Sequence, residues 1–243
     1  MRPSTPVNMM LTHFKNTLSA LLLILLFSTA AKAQFNTGTI TLDGNAAEAA
    51  YVTSGAYHMA WDDNYLYVRY SGGAQDEPVI MHIDVDPQNP VDGGTNANGS
   101  LVGQANWGIT PTLPFRSDFQ IYWESTYAEY RTDNGAGGWS GTTAIATPAD
   151  RSNTGAANRE IRLAWTWMGL AGRPAAFNWT AYANSRATPG FMFNQMPAEN
   201  PGGALATPTM NYYYTVSSTA NNASITNPFN QKSFESRANF TLG

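Results

Sequence analysis

Period-two alternation governs this sequence. Tyr65 to Tyr70 (YLYVRY) sets Leu66 and Val68 against Tyr67 and Arg69, and Val79 to Val85 (VIMHIDV) sets Val79, Met81, Ile83 and Val85 against Ile80, His82 and Asp84. The stretches 118–124, 159–165 and 176–184 repeat the pattern around Phe119, Ile121 and Trp123, then Ile161, Leu163 and Trp165, then Phe177, Trp179, Ala181 and Ala183. Alternation rich in β-branched and aromatic residues, bounded by Gly, Pro, Asn and Asp, specifies strands. A further strand-like run, 39–42, leads into an Asp43-Gly44 turn. Helical periodicity is nearly absent, and only 45–51 and 166–171 offer a turn or two. Three connections, 87–114, 132–158 and 184–209, exceed ordinary loop lengths and are expected to carry function, metal or a partner. No internal repeat points to a propeller or solenoid. The expectation is an all-β fold, a single-domain antiparallel β-sandwich over 34–243 with long Gly/Asn/Pro-rich loops.

The first 33 residues read as a signal peptide. Arg2 and Lys15 form a basic start, Leu18 to Phe27 a short apolar run, and Ala31-Lys32-Ala33 a small-residue cleavage site before Gln34. The run falls short of the roughly 20 residues that span a bilayer, and no later segment is apolar enough to do so. The mature chain is therefore expected without a transmembrane segment, secreted or held at the cell surface after cleavage behind Ala33. Beyond the leader ten basic residues face seventeen acidic ones, a balance of −7, with no basic patch, which excludes nucleic acid as a partner. The absence of cysteine removes disulfides, thiolate metal sites and thiol nucleophiles.

A succession of short motifs then carries a resemblance. Ile40-Thr41-Leu42-Asp43-Gly44 is followed by Trp61-Asp62-Asp63-Asn64-Tyr65-Leu66-Tyr67, by Ile83-Asp84-Val85-Asp86-Pro87, by Glu160-Ile161-Arg162-Leu163-Ala164-Trp165, and by Gly172-Arg173-Pro174 with Phe177-Asn178-Trp179. In this order the motifs resemble those of the family 9 carbohydrate-binding modules and the related DOMON-like sandwiches, from about Thr37 to Ala183. The pattern is broken twice: Ala164 stands where proline is common, and Glu48 and Tyr51 stand where an acid followed by Trp is usual. The resemblance implies a β-sandwich and carbohydrate binding, and assigns no sugar-stacking position here.

The strand phases supply candidates of their own. With Leu66, Val68, Met81, Ile83, Ile161, Leu163, Phe177 and Trp179 in the core, Arg69, His82, Gln120, Tyr122, Glu160, Arg162, Asn178 and Tyr182 fall on outward faces. Paired donors, amides and flat rings suit a polyhydroxyl ligand, and the same residues also suit a solvated face with cross-strand charge pairs such as Glu160 with Arg69. Trp107 and Trp139 lie in Gly/Asn-rich loops and offer stacking surfaces, or lids over the end of a sandwich. Asp84, Asp86, Asn89, Asp92, Asn96 and Asn98 form an oxygen-rich run that could hold structural calcium, although Asx residues also shape turns without metal. The run lacks the spacing of an EF-hand.

Enzyme activity is not expected. H-E-x-x-H and G-x-S-x-G are absent. Haem is not expected either, since Met81 and His82 adjoin on one strand and point to opposite faces. The reading that follows is a secreted, non-catalytic carbohydrate-binding protein whose partner is a polysaccharide or glycan. The alternative is an extracellular structural or adhesion protein that meets a cell-surface protein.

Overall fold

The computed structural model describes residues 40–45, 48, 51–74, 76–87, 98–124, 126–146, 149–154, 158–187, 190–217 and 232–234. The expected leader and Asn89, Asp92 and Asn96 of the expected calcium run lie outside the described residues. Those that are described form an all-β, antiparallel sandwich. The strands are β1 Val52–Ser54, β2 Tyr57–Trp61, β3 Tyr65–Ser71, β4 Val79–Asp84, β5 Ser100–Val102, β6 Thr112–Ser117, β7 Phe119–Trp123, β8 Ala128–Thr132, β9 Thr143–Ala144, β10 Arg151–Thr154, β11 Asn158–Ala164, β12 Ala176–Asn184, β13 Met192–Met196, β14 Tyr212–Ser217 and β15 Lys232–Phe234. One sheet has the order β1-β2-β3-β11-β10; the other runs β15-β14-β12-β4-β7-β8-β9, with β13 on the second half of β12. The only helical turn among the described residues is a 3₁₀ turn, Trp165–Met168, closed by Gly169 at φ 78°.

Alternation does the packing as expected. Leu66, Val68, Ile161 and Leu163 of the first sheet meet Met81, Ile83, Ile121, Phe177 and Trp179 of the second in one buried cluster. The β2–β3 turn is built by Asp62, whose Oδ1 accepts the amides of Asn64 and Tyr65 at 2.7 Å each while its backbone carbonyl accepts Trp165 Nε1 at 3.0 Å. A side-chain acceptor that mimics a backbone turn explains why Asp stands there. The tryptophans of the strand motifs, Trp61, Trp123, Trp165 and Trp179, are all buried.

Three expectations need correction. The run 40–42 is not a strand; Ile40 and Leu42 lie across the first sheet and pack on Ala60 and Tyr67. The long connections are not plain loops, since 87–114 and 184–209 contain β5, the start of β6, and β13. While β13 joins the larger sheet beside β12, β5, β6 and the residues 206–210 that bond to Thr110 and Thr112 form a third layer over its outer face, where Ile80 and Tyr182 pack with Ile109, Leu113, Met192 and Met210. The polar residues of that face are consequently buried as well. Gly103 passes so close that a Cβ there would meet Pro111 Cγ at 2.7 Å and His82 Cε1 at 2.9 Å, so only glycine fits.

His82 is fully buried, with its ring 6.3 Å from that of Tyr182 and 6.1 Å from that of Trp139. Burial lowers its pKa from 6.5 to about 3, because a charged imidazole would lose its hydration there. A depressed histidine pKa means that the unfolded chain binds the proton more readily between those two values. Its contribution to stability is therefore complete above pH 6.5 and is lost as the pH falls toward 3. The expected outcome is that acidification from pH 7 to pH 4.5 lowers the melting temperature of the parent relative to that of His82→Phe, read by circular dichroism, since the buried carboxylates, which act in the opposite direction, are common to both proteins.

Candidate functional site

The sites expected from the strand phases divide between two opposite surfaces. Arg69, Glu160 and Arg162 sit on the outer face of the smaller sheet, where β11 pairs with β3 and Glu160 lies opposite Arg69. Glu160 does not close an exposed charge pair. It is fully buried, and its carboxylate accepts the amides of Asp43 and Gly44 at 2.9 Å each and the hydroxyl of Tyr51. Arg69 donates to the Gly44 carbonyl at 3.2 Å and to His58 Nε2 at 2.8 Å. These residues pin Asp43, Gly44 and Tyr51 against the sheet, and burial is the main reason the Glu160 pKa is raised. Arg162 is half-exposed, paired with Asp150 at 2.9 Å and lying over the Tyr65 ring at 4.6 Å.

His82, Gln120, Tyr122, Asn178 and Tyr182 occupy the outer face of the larger sheet, and all but Tyr122 are buried beneath the third layer. Gln120 Oε1 accepts the Gln104 amide at 2.9 Å. The ligand surface expected from strand polarity is thus an interior seam, because a second covering layer takes the place of solvent. Trp139 closes that seam: its Nε1 donates to the Val102 carbonyl at 2.8 Å and its ring packs partly buried on the apolar cluster.

One end of the seam is acidic. Asp84 ends β4 and Asp118 precedes β7, and because Ile83 pairs with Phe119 the two carboxylates become neighbours. With Asp86 they form a group in which one oxygen from each residue lies within 4.8 Å of the others. Asn178 Nδ2 donates to Asp84 Oδ2 at 3.0 Å, and the amides of Asp86 and Val85 bond Asp84 Oδ1 at 3.1 Å and Asp118 Oδ2 at 2.9 Å. Burial raises Asp84 to about 8, with Asp118 adding repulsion, and raises Asp118 to about 7, with Asp86 and Asp133 adding to it. Asp86, Asp118, Asp133 and Asn98 line a cavity of about 490 Å³ whose other wall is Trp167, Met168 and Leu170. Asp133 Oδ1 is buried there without a hydrogen-bond partner. Hard carboxylate and amide oxygens crowded at this spacing fit a hard divalent cation. Of the expected run, Asp84, Asp86 and Asn98 come together here. Asp118 and Asp133 are additions that only strand pairing reveals.

The other end is aromatic. Asn106 and Ile109 bond each other's backbone in both directions around Trp107 and Gly108, which have φ of 50° and 77°. Positive φ at both central positions is the type I′ hairpin turn, ordinarily occupied by Asn-Gly. A tryptophan there costs about 1–2 kcal/mol of backbone strain. The residue is still 39% exposed, with Nε1 donating to the Tyr122 hydroxyl at 2.9 Å and the Arg186 guanidinium 4.8 Å from the ring centre. Tyr127, 42% exposed, has its ring 6.3 Å from that of Tyr122. Of the expected ligand residues, Trp107 and Tyr122 alone meet on an open surface. Arg186 carried no sequence signal, being one polar residue in a long connection.

No family model, curated protein or solved structure matches the chain.

Trp107→Asn keeps a residue that tolerates the turn while removing the ring. Relief of strain offsets the lost contacts with Arg186 and Tyr122, so stability is expected to stay within about 1 kcal/mol of the parent. Trp179→Ala, by contrast, is expected to cost about 3–5 kcal/mol through the cavity it leaves. Urea denaturation of both variants measures the difference.

Proposed function

We propose that the chain is an exported, non-catalytic glycan-binding β-sandwich, with the surface around Trp107 as its ligand site. The observation that carries this reading is the strained, exposed indole at the tip of the β-turn. Strain held in a turn is retained where something over-determines it, and an exposed ring contributes little to the core. Flat aromatic faces take the C–H face of a sugar ring, while the adjacent guanidinium and carboxylate groups bond its hydroxyls. The resemblance of the motif order to family 9 carbohydrate-binding modules supports the same reading. The leader over 1–33 supports export.

Calcium is the proposed staple at Asp84, Asp86 and Asp118, with Asn98 and Asp133 beside it. Six to eight oxygens satisfy the ion, and this group contributes several. Bound there, calcium would hold the start of β7 against the end of β4 and neutralise charge that burial otherwise penalises.

Two measurements test the proposal. Calorimetry or affinity electrophoresis across a broad glycan panel is expected to show binding that Trp107→Asn weakens with the fold intact. Binding of a protein partner, with no glycan dependence, would replace this reading with that of an extracellular structural or adhesion protein. Calcium at millimolar concentration is expected to raise the melting temperature of the parent and not that of Asp118→Asn. Protons compete for the same carboxylates, so the calcium effect weakens as the pH falls below about 7, the value to which burial raises Asp118.

A further inference from the structure

We infer that the ligand is the flank of an extended, uncharged polysaccharide rather than a chain end or an acidic glycan, an inference that rests on the glycan-binding reading above. The Gly190 amide bonds the Trp107 carbonyl at 3.1 Å and so places Phe191, 49% exposed, beside the Trp107 turn. Phe191, Trp107, Tyr122 and Tyr127 then form a run of rings across three separate segments: the β12–β13 connection, the turn, and the β7–β8 hairpin. Trp107 meets Tyr122 at its hydroxyl, whereas Tyr127 meets it at the ring, with centroids 6.3 Å apart. The exposed side chains therefore stand at separate points of one surface, a spread that suits successive sugar units better than a single terminal residue.

Charge selects the class of polymer. Each cation of the run is already set against an anion. Arg186 Nε lies 3.8 Å from Glu124, and Arg131 Nη2 lies 3.4 Å from Glu129. The two glutamates also accept the hydroxyls of Tyr122 and Tyr127. Two arginines and two glutamates leave the strip with no net charge. A uronate or sulfate approaching either guanidinium meets the neighbouring carboxylate, and that repulsion discriminates against acidic chains. Neutral hydroxyls, which donate and accept together, can bond both members of each pair.

The test uses the mature chain with neutral polymers (cellulose, xylan, β-mannan, galactan and amylose), their di- to hexasaccharides, and acidic polymers (polygalacturonate, alginate and a sulfated galactan). The expected result is binding to at least one neutral polymer, with affinity rising at least tenfold from disaccharide to hexasaccharide. Borohydride reduction of the chain ends should leave it unchanged, and Phe191→Ser and Trp107→Asn should each weaken it while preserving the melting temperature. Preferential binding of an acidic polymer, or a disaccharide that binds as tightly as the hexasaccharide, overturns this inference and leaves glycan binding standing. A chain that binds nothing in the panel overturns both.

Discussion

Everything in this structure depends on β4 being buried on both faces. Antiparallel sandwiches ordinarily leave one face of each sheet to water. Here all six residues of Val79–Asp84 are buried. Val79, Met81 and Ile83 fill the sandwich core, while Ile80, His82 and Asp84 face a third layer built from the long connections. Burying an imidazole or a carboxylate costs free energy unless it is hydrogen-bonded, and costs far more when it is charged. Burial holds His82 neutral, although both of its ring nitrogens lack a hydrogen-bond partner, and Asp84 is bonded by Asn178 and the Asp86 amide. Gly103 permits the close approach that seals the layer.

That single strand also sets the distance between the two candidate sites. Asp84 stands at its end, in the acidic group, and Ile80 stands four residues earlier, opposite Tyr122. At about 3.3 Å per residue the two ends lie roughly 13 Å apart, too far for a cation at one to touch a ligand at the other. They are joined mechanically, since β7 carries Tyr122 four residues after Asp118. A cation at the acidic end would fix the strand on which the aromatic surface stands.

The core was legible in the sequence because alternation is a local property. Every strand run from Tyr65 onward that alternated in the sequence is a strand, and the apolar phase of each faces the core. The polar phase was harder to read. Arg69, Glu160 and Arg162 have the same alternation as His82, Gln120 and Asn178, yet they lie on opposite sides of the molecule. Nothing local distinguishes a face open to water from one capped by another layer. The run 40–42 failed as a strand for a related reason: the outer face of the smaller sheet, with Glu160 as an acceptor for the Asp43 and Gly44 amides, holds that segment as an overlying strap. Trp107 was recognisable as a loop tryptophan, but its turn was not, since Trp-Gly carries none of the preference that Asn-Gly has for positive φ.

By itself, then, the sequence determined β3, β4, β7, β11 and β12, the inward phase of each and the acidic residues near the end of β4. Tertiary structure alone decided which strands became neighbours, and through that the identity of both sites. Asp118 reaches Asp84 only because β7 lies antiparallel to β4 in one register. Trp107 reaches Tyr122 only because the third layer folds back over β7. The physical reason is that side-chain period is fixed by the backbone within a strand, whereas pairing is a non-local choice made by the packing of the whole.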